Sequence, residues 1–569
     1  MNVRNPRAGL LSLVLVGCLT LLGSSARAVD YYVNDTNTVN DMYTTAAGGP
    51  FIGGLIEGLT PATPLLTLNE VLSRHNIEPG DRIFIDTGLY KNGGIAWPNQ
   101  DVGSAGMPVE IIGSTMTCTG GVECMTIIEA NNPGVTQDCF LFQGNDDWIT
   151  FRNLMIRGYG RNAFWINGGD NLVCEDVIFY DNTKGVFHIN GDNPVFRRCM
   201  AINCEIGHEA TRLGGIWENG VSVSNDIAFL FDAVTFVNNS IVVGGIAFDG
   251  DVTPRGDYNM FWNVNVLKSD INGGDPFVNL KEMADAEPGS WVNSTFANPW
   301  LKDPANFDAR VQSPAGSYDV ATSNFLNDTE RSAAIDYGPT NAPVGGETAP
   351  NGGRLNIGAF GGTAQASRTP PGLWLQTISY NDGGILSVPT DAVRWTGNHG
   401  PADLVRIEYS EDSGQNWVVV ETGIPGDAGM YVWANTNFMS NREARWRVVN
   451  QATPSIMSSN LVDFTFRNGP FLYYLDDPDP SNSGDIYTPF AHGDDMNTGT
   501  SPTNPMATLS ALLLQNQLSD GDIVFIDTGT YNFDSIETIT SADSGSPGKL
   551  VHLLGSTNGV LFTPTPPLN

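Results

Sequence analysis

The chain has 569 residues, enough for several domains. It carries 62 Asp and Glu against 28 Lys and Arg, a formal charge of −34. That balance argues against nucleic acid as a partner, which needs a basic face. It also repels a polyanionic polysaccharide unless a local basic patch or a bound cation reverses the sign.

The chain opens with Arg4 and Arg7, then an apolar run from about Ala8 to Leu22, then Ser25-Ala26-Arg27-Ala28. Small residues stand at the two positions a signal peptidase reads. This predicts a secretory signal over 1–28 and a secreted or outer-surface protein starting near Val29. Leu15-Val16-Gly17-Cys18 also fits a lipobox, with acylation at Cys18. Apolar residues continue past Cys18, which favours the later cut. No other stretch is long and apolar enough to serve as a transmembrane segment. Of the seven cysteines, 118, 124, 139, 174, 199 and 204 lie beyond the leader. An even count in an exported chain permits disulfides. Cys118 and Cys124 are close enough to close a small loop, whereas Cys174 and Cys199 sit in apolar strand patterns that suit buried thiols.

A long repeat comes next. Tyr31-Tyr32-Val33-Asn34-Asp35, Thr60-Pro61-Ala62-Thr63-Pro64 and Pro79-Gly80-Asp81-Arg82-Ile83-Phe84-Ile85-Asp86-Thr87-Gly88 recur further on. Their counterparts are Tyr473-Tyr474-Leu475-Asp476-Asp477, Ser501-Pro502-Thr503-Asn504-Pro505 and Asp520-Gly521-Asp522-Ile523-Val524-Phe525-Ile526-Asp527-Thr528-Gly529. Asp86 and Asp527 are 441 residues apart. Either the chain belongs to a longer array with neighbouring modules beyond the C-terminus, or the second module is incomplete. In the first copy Leu68, Val71 and Leu72 are spaced for one helical face over 67–76, and Pro79-Gly80-Asp81 ends that helix. A short helix before a strand suits the cap of a solenoid.

Between about 109 and 300 a finer period appears. Phe140/Phe142, Phe164/Ile166 and Phe187/Ile189 alternate as half-buried strands do. They recur at an interval of roughly two dozen positions, within the range of repeat architectures. A second strand follows each: Ile149/Phe151/Leu154/Ile156, then Leu172/Cys174/Val177/Phe179, then Phe196/Cys199/Ala201. Two or three strands in such an interval make one coil of a β-helix. Such a coil cannot bury its apolar face alone.

The opening residues 31–33, 59–64 and 79–81 resemble the N-terminal segment of bacterial right-handed parallel β-helix proteins, the pectate-lyase-like group. Ser332-Ala333-Ala334-Ile335-Asp336 and the run 350–363 resemble that group's closing segment. The expected fold class is all-β: a right-handed parallel β-helix (solenoid) over 29–368, a β-sandwich over 369–468, and the N-terminal part of a second β-helix over 469–569. The middle portion opens on Thr369-Pro370-Pro371 and carries short strands around Trp395, Ile407, Val419, Trp446 and Phe464. It resembles immunoglobulin- or fibronectin-like modules of exported bacterial proteins. Its Trp395, Trp417, Trp433 and Trp446 fit a sandwich core better than sugar contacts.

The resemblance implies a fold that hosts several activities. Uronate lyases of this group use a basic proton abstractor, with calcium or a second base on the substrate carboxylate. The expected catalytic residues are then Lys184, His188 and Arg212, with Arg197 and Arg198 as further bases. Trp165, Arg161 and His208 are the expected substrate contacts, with Trp165 and His188 stacking outward. If the coils stack in register, Asp147, Asp170 and Asp192 share one corner, an oxygen cluster that suits Ca2+. The alternative is that each Asp serves its own turn. No Gly-His-Gly, Arg-Ile-Lys, zinc spacing or phosphate loop occurs. Two functions follow. One is a surface module binding or structuring extracellular polysaccharide. The other is a polysaccharide lyase acting on a pectate- or alginate-like polymer by calcium-assisted β-elimination.

Overall fold

The computed structural model describes residues 28–115, 125–133, 135–212, 215–273, 276–480, 484–516, 518–533, 539, 543–545 and 548–564. The expected leader up to Arg27, with Cys18, and the Cys118/Cys124 loop lie outside them. Cys139, Cys174, Cys199 and Cys204 are free, buried thiols. Strands dominate, and the described residues hold three α-helices: α1 (Leu68–Arg74), α2 (Leu280–Ala286) and α3 (Leu509–Gln515).

Residues 30–296 form a fifteen-stranded sheet and an eight-stranded sheet. Their pairings are parallel and join residues about one repeat apart. Cys174 lies beside Phe151 and Phe196, and Val186 beside Phe164 and His208. Parallel neighbours need long connections, and from Arg82 to Phe296 each connection contains a strand of the other sheet, whereas α1 lies between the first two strands. Long strands such as Ile149–Arg157 and Val173–Tyr180 each pair with two shorter strands, with a left-handed residue, Asn153 or Asp176, between the two pairings; the stretch from one strand to its parallel neighbour is called a circuit.

The bends share a backbone device. Residues 153, 176, 198, 219, 239 and 258 have left-handed φ, as do 158, 181, 203, 224, 244 and 263. In both columns the interval between successive positions falls by one at every step, so each circuit is shorter than the last by a single residue. Asn and Asp tolerate this conformation better than other side chains, and they fill most of these sites. Arg198 is an exception, gripped by Asp176 at 2.8 and 2.9 Å. Inside the second corner, buried Asn225 accepts the Cys204 N–H at 2.7 Å and donates to the Ala201 carbonyl at 2.9 Å. Asn182 does the same two layers away, with the Tyr159 N–H and the Ile156 carbonyl at 3.0 Å.

One limb is buried on both faces. Val177 and Phe179 point into the main core, while Ile178 joins Met155, Met200, Val221 and Ile241 in an outer cluster. Ala334, Ile335 and Ile357 of the closing segment cover that cluster, as parallel sheets require. Leu68, Val71 and Leu72 of α1 and Leu280 and Met283 of α2 join the main core. Thr67 caps α1 by accepting the Glu70 N–H. The helix ends at Arg74, before Pro79-Gly80, because the main chain turns extended at His75.

The third aromatic pair needs correction. Val186 and His188, not Phe187 and Ile189, continue the inward column of Phe164 and Ile166. The circuits shorten, and a slip of one residue moves every side chain to the opposite face.

Residues 375–467 form a three-stranded and a six-stranded sheet, antiparallel except where Ile385–Ser387 pairs with Phe464–Arg467. Trp395, Trp433 and Trp446 are buried in their shared core. Trp417 is half-buried under Arg447, whose guanidinium lies 4.2 Å from the ring centre. The parallel strands Leu472–Leu475, Ile523–Ile526 and His552–Gly555 reproduce Asp30–Val33, Arg82–Ile85 and Val109–Gly113. The helix recurs too, with Thr508 capping α3 as Thr67 caps α1.

Asn225→Ala would leave a buried N–H and a buried C=O without partners. We expect a loss of about 2–4 kcal/mol, measured by denaturant unfolding. An unchanged midpoint would show that the corner does not depend on this side chain.

Candidate functional site

The outer face of the eight-stranded sheet gathers three of the expected residues. In successive strands Leu141, Trp165, Phe187 and Glu209 lie side by side. Arg161 sits over Trp165 at 4.6 Å and Lys184 over Phe187 at 4.4 Å. Both aromatics are half-buried. Lys184 pairs with Glu209 at 2.5 Å and Arg161 with Asp138 at 3.3 Å. Beside the rings, Asn190 Nδ2 donates to Asn167 Oδ1 at 2.6 Å. The result is a strip of two aromatic rings edged by cations, carboxylates and amides. Such a strip can take the apolar face of a flat ligand and bond its rim. Each cation is already held by an acid, so neither faces solvent as an unescorted base.

The histidines lie elsewhere. His188 is buried, and its Nε2 donates to the Gly191 carbonyl at 2.9 Å. Burial pushes its pKa down. The outward neighbour of Trp165 is therefore Phe187, not His188. His208 is 1% exposed, and neither ring nitrogen has a hydrogen-bond partner. It is boxed by Phe196, Trp217 and Phe231 at 4.8, 5.9 and 5.5 Å. Burial, with a smaller push from His188, lowers its pKa to about 3. Neither imidazole reaches a substrate from there. Arg212 is exposed, past the end of its strand. Arg197 bridges Glu175 and Glu218, both at 2.6 Å, within a ladder of alternating charge.

Asp147, Asp170 and Asp192 do share one corner. Asp147 Oδ1 accepts the Asp170 N–H, and Asp170 Oδ1 accepts the Asp192 N–H, both at 2.7 Å. These two carboxylates thus tie one circuit to the next, rather than serving only their own turns. Among the described residues no three His, Cys, Asp or Glu side chains are arranged to hold a metal ion.

A concavity of about 280 Å³ opens elsewhere, beside the outer cluster and the closing segment. Met125, Ile178, Met200 and Phe360 line it. Its charged rim, Asp176 and Arg198, is spent on a mutual ion pair.

No family model matches the chain, and no curated protein matches it.

Trp165, Arg161 and Lys184, expected from the sequence as site residues, lie together on one face, and Phe187, expected to point inward, lies there with them. Alignment on the corner residues Asp181 and Asn203 would have set the register, since those positions carry the backbone constraint.

His208 generates a pH prediction. An unfolded imidazole binds a proton below about 6.5, and the folded one only near 3. Between those values the unfolded state holds more protons. This contribution to stability is therefore present above about pH 6.5 and lost as pH falls. His208→Leu should flatten that part of the acid sensitivity. It should melt no lower than the parent at about pH 7, since two unpartnered nitrogens are removed. Melting curves at about pH 7 and pH 4 check this, and an unaltered difference between them would count against it.

Proposed function

We propose that this chain is an exported right-handed parallel β-helix module that binds extracellular polysaccharide on the outer face of its eight-stranded sheet. In this reading residues 29–368 form the β-helix. Residues 369–468 form an immunoglobulin- or fibronectin-like sandwich, and 469–569 begin a second β-helix. The parallel pairing, with corners that recur at a regularly shortening interval, supports the solenoid. Right-handed winding follows from the preference of parallel crossovers.

The observation that carries the binding reading is the Trp165–Phe187 strip with Arg161 and Lys184 laid over it. Sugar rings present apolar C–H faces and a hydroxyl rim. The strip offers aromatic area flanked by amide, carboxylate and cationic groups. Arg161 and Lys184 are each balanced by an acid, Asp138 and Glu209, on a chain of charge −34, which favours a polymer of neutral sugars over a dense polyanion.

Affinity electrophoresis of the full chain through gels of neutral glucan, pectate and alginate tests this. Retardation by at least one polymer is expected. Trp165→Ala should weaken it about tenfold or more, equivalent to ~1.4 kcal/mol, without lowering the melting temperature. Retardation that survives Trp165→Ala unchanged would move the site elsewhere. Release of unsaturated products from pectate or alginate with calcium, followed by absorbance, would replace the binding reading with β-elimination.

A further inference from the structure

The two modules form a natural comparison, and at one buried position the side chain changes its hydrogen-bonding character between them. Their frames agree closely. Asp86 accepts the main-chain N–H groups of Met42, Tyr43 and Thr44 at 2.6, 2.8 and 2.7 Å. Asp527 accepts those of Ile486, Tyr487 and Thr488 at 2.7, 2.6 and 2.6 Å. The Thr44 and Thr488 hydroxyls donate to the same carboxylates at 3.0 and 2.9 Å. Tyr90 and Tyr531 donate to the carbonyls of Asp86 and Asp527 at 3.0 and 3.1 Å.

Inside this frame the first module places an amide. Asn34 Nδ2 faces Asp41 Oδ2 at 2.7 Å, Thr44 Oγ1 at 2.8 Å and the Ala46 carbonyl at 2.9 Å. One positively polarised group thus serves three oxygens. By the repeat, Asn34 corresponds to Asp476, Asp41 to Asp485 and Thr44 to Thr488. The donor has become an acceptor.

Asp476 is 0% exposed. Neither of its carboxylate oxygens has a hydrogen-bond partner; Asp485 Oδ1 lacks one too, as Asp41 Oδ1 and Asn34 Oδ1 do in the first module, so the difference lies in the two Asp476 oxygens. Burial first, and then the charge of Asp485, push the Asp476 carboxyl up to about 7. The nearby Thr488 hydroxyl pulls the other way, but its proton points to Asp527. The other nearby acids have their oxygens occupied. Asp527 is held by the N–H groups above, and Asp477 accepts from Asp479 and Thr530 at 3.1 and 2.8 Å. They add negative field without offering free oxygens. His492 is the nearby basic group on the Asp485 side. A bare pair of carboxylates in such a place is strongly unfavourable without a counter-charge.

We propose that the second module binds a hard divalent cation, calcium by its ligand chemistry, between Asp476 and Asp485, at the point where the first module uses the Asn34 amide. Two carboxylates balance its charge. Thr488 Oγ1 gives its proton to Asp527, so its lone pairs remain free to face the ion. Main-chain carbonyl oxygen and water complete the six to eight oxygens that calcium takes. Magnesium, with its strict octahedron and tightly held water, fits a two-carboxylate pocket less well.

Calorimetric titration of calcium chloride into the full chain at about pH 8, after chelator treatment, tests the site. The wild type should show a binding event that Asp476→Asn loses or weakens more than tenfold. That variant restores the amide of the first module, so it should fold and melt at or above the calcium-free wild type. In the opposite direction, Asn34→Asp should add a second binding event and a melting temperature that rises with calcium. Identical titrations of wild type and Asp476→Asn would overturn the proposal. So would a higher melting temperature for Asp476→Asn with no calcium response in the wild type, since the two carboxyls would then share a proton.

Discussion

The structure depends on the parallel pairing of one circuit with the next. A single circuit has an inward row of apolar side chains and no partner of its own to cover them. Its main-chain groups are likewise half satisfied. Stacking solves both problems at once, because neighbouring circuits accept and donate hydrogen bonds along a limb while their side chains close the interior. The corners are then forced. Single residues adopt left-handed φ there, which is why Asn and Asp recur at those positions. The apolar faces of α1 and α2 join the same core.

The same stacking explains much of the charge. Glu110, Arg152, Glu175, Arg197 and Glu218 form one ladder across circuits, linked at 3.3, 3.4, 2.6 and 2.6 Å. Exposed pairs of this kind are each worth under about 1 kcal/mol, but their alternation prevents like charges from meeting in register. The corner acids 147 and 170 are spent on main-chain N–H groups of the following circuit. Residues that look chemical one at a time are therefore largely the fastening of the stack. The strip at Trp165 and Phe187 differs because its aromatic faces fasten nothing across the circuits and lie half open.

Duplication within one chain separates what the frame needs from what a module adds. Asp86 and Asp527 do the same work on equivalent loops, so that pattern belongs to the frame. Asn34 and Asp476 stand in the same surroundings with opposite hydrogen-bonding character. The Asn34 amide nitrogen is satisfied, and the Asp476 oxygens are not. A difference of that kind at a fully buried position is informative, since such a group cannot be left to solvent.

The sequence alone pointed to strand-rich structure, the repeat of 441 residues, a helix within 67–76, observed over Leu68–Arg74, and strand positions for Cys174 and Cys199 that suit buried thiols. It also placed Asp147, Asp170 and Asp192 at a common corner. These are local or periodic properties, carried by apolar spacing and turn chemistry. Tertiary structure decided which face each side chain occupies. His188 and His208 went inside and Phe187 outside, because the pairing sets Val186 opposite Phe164, one residue short of the expected Phe187. It also decided which charges are free, since the partners of Arg161, Lys184 and Arg197 lie a circuit away in sequence and side by side only when the circuits pair.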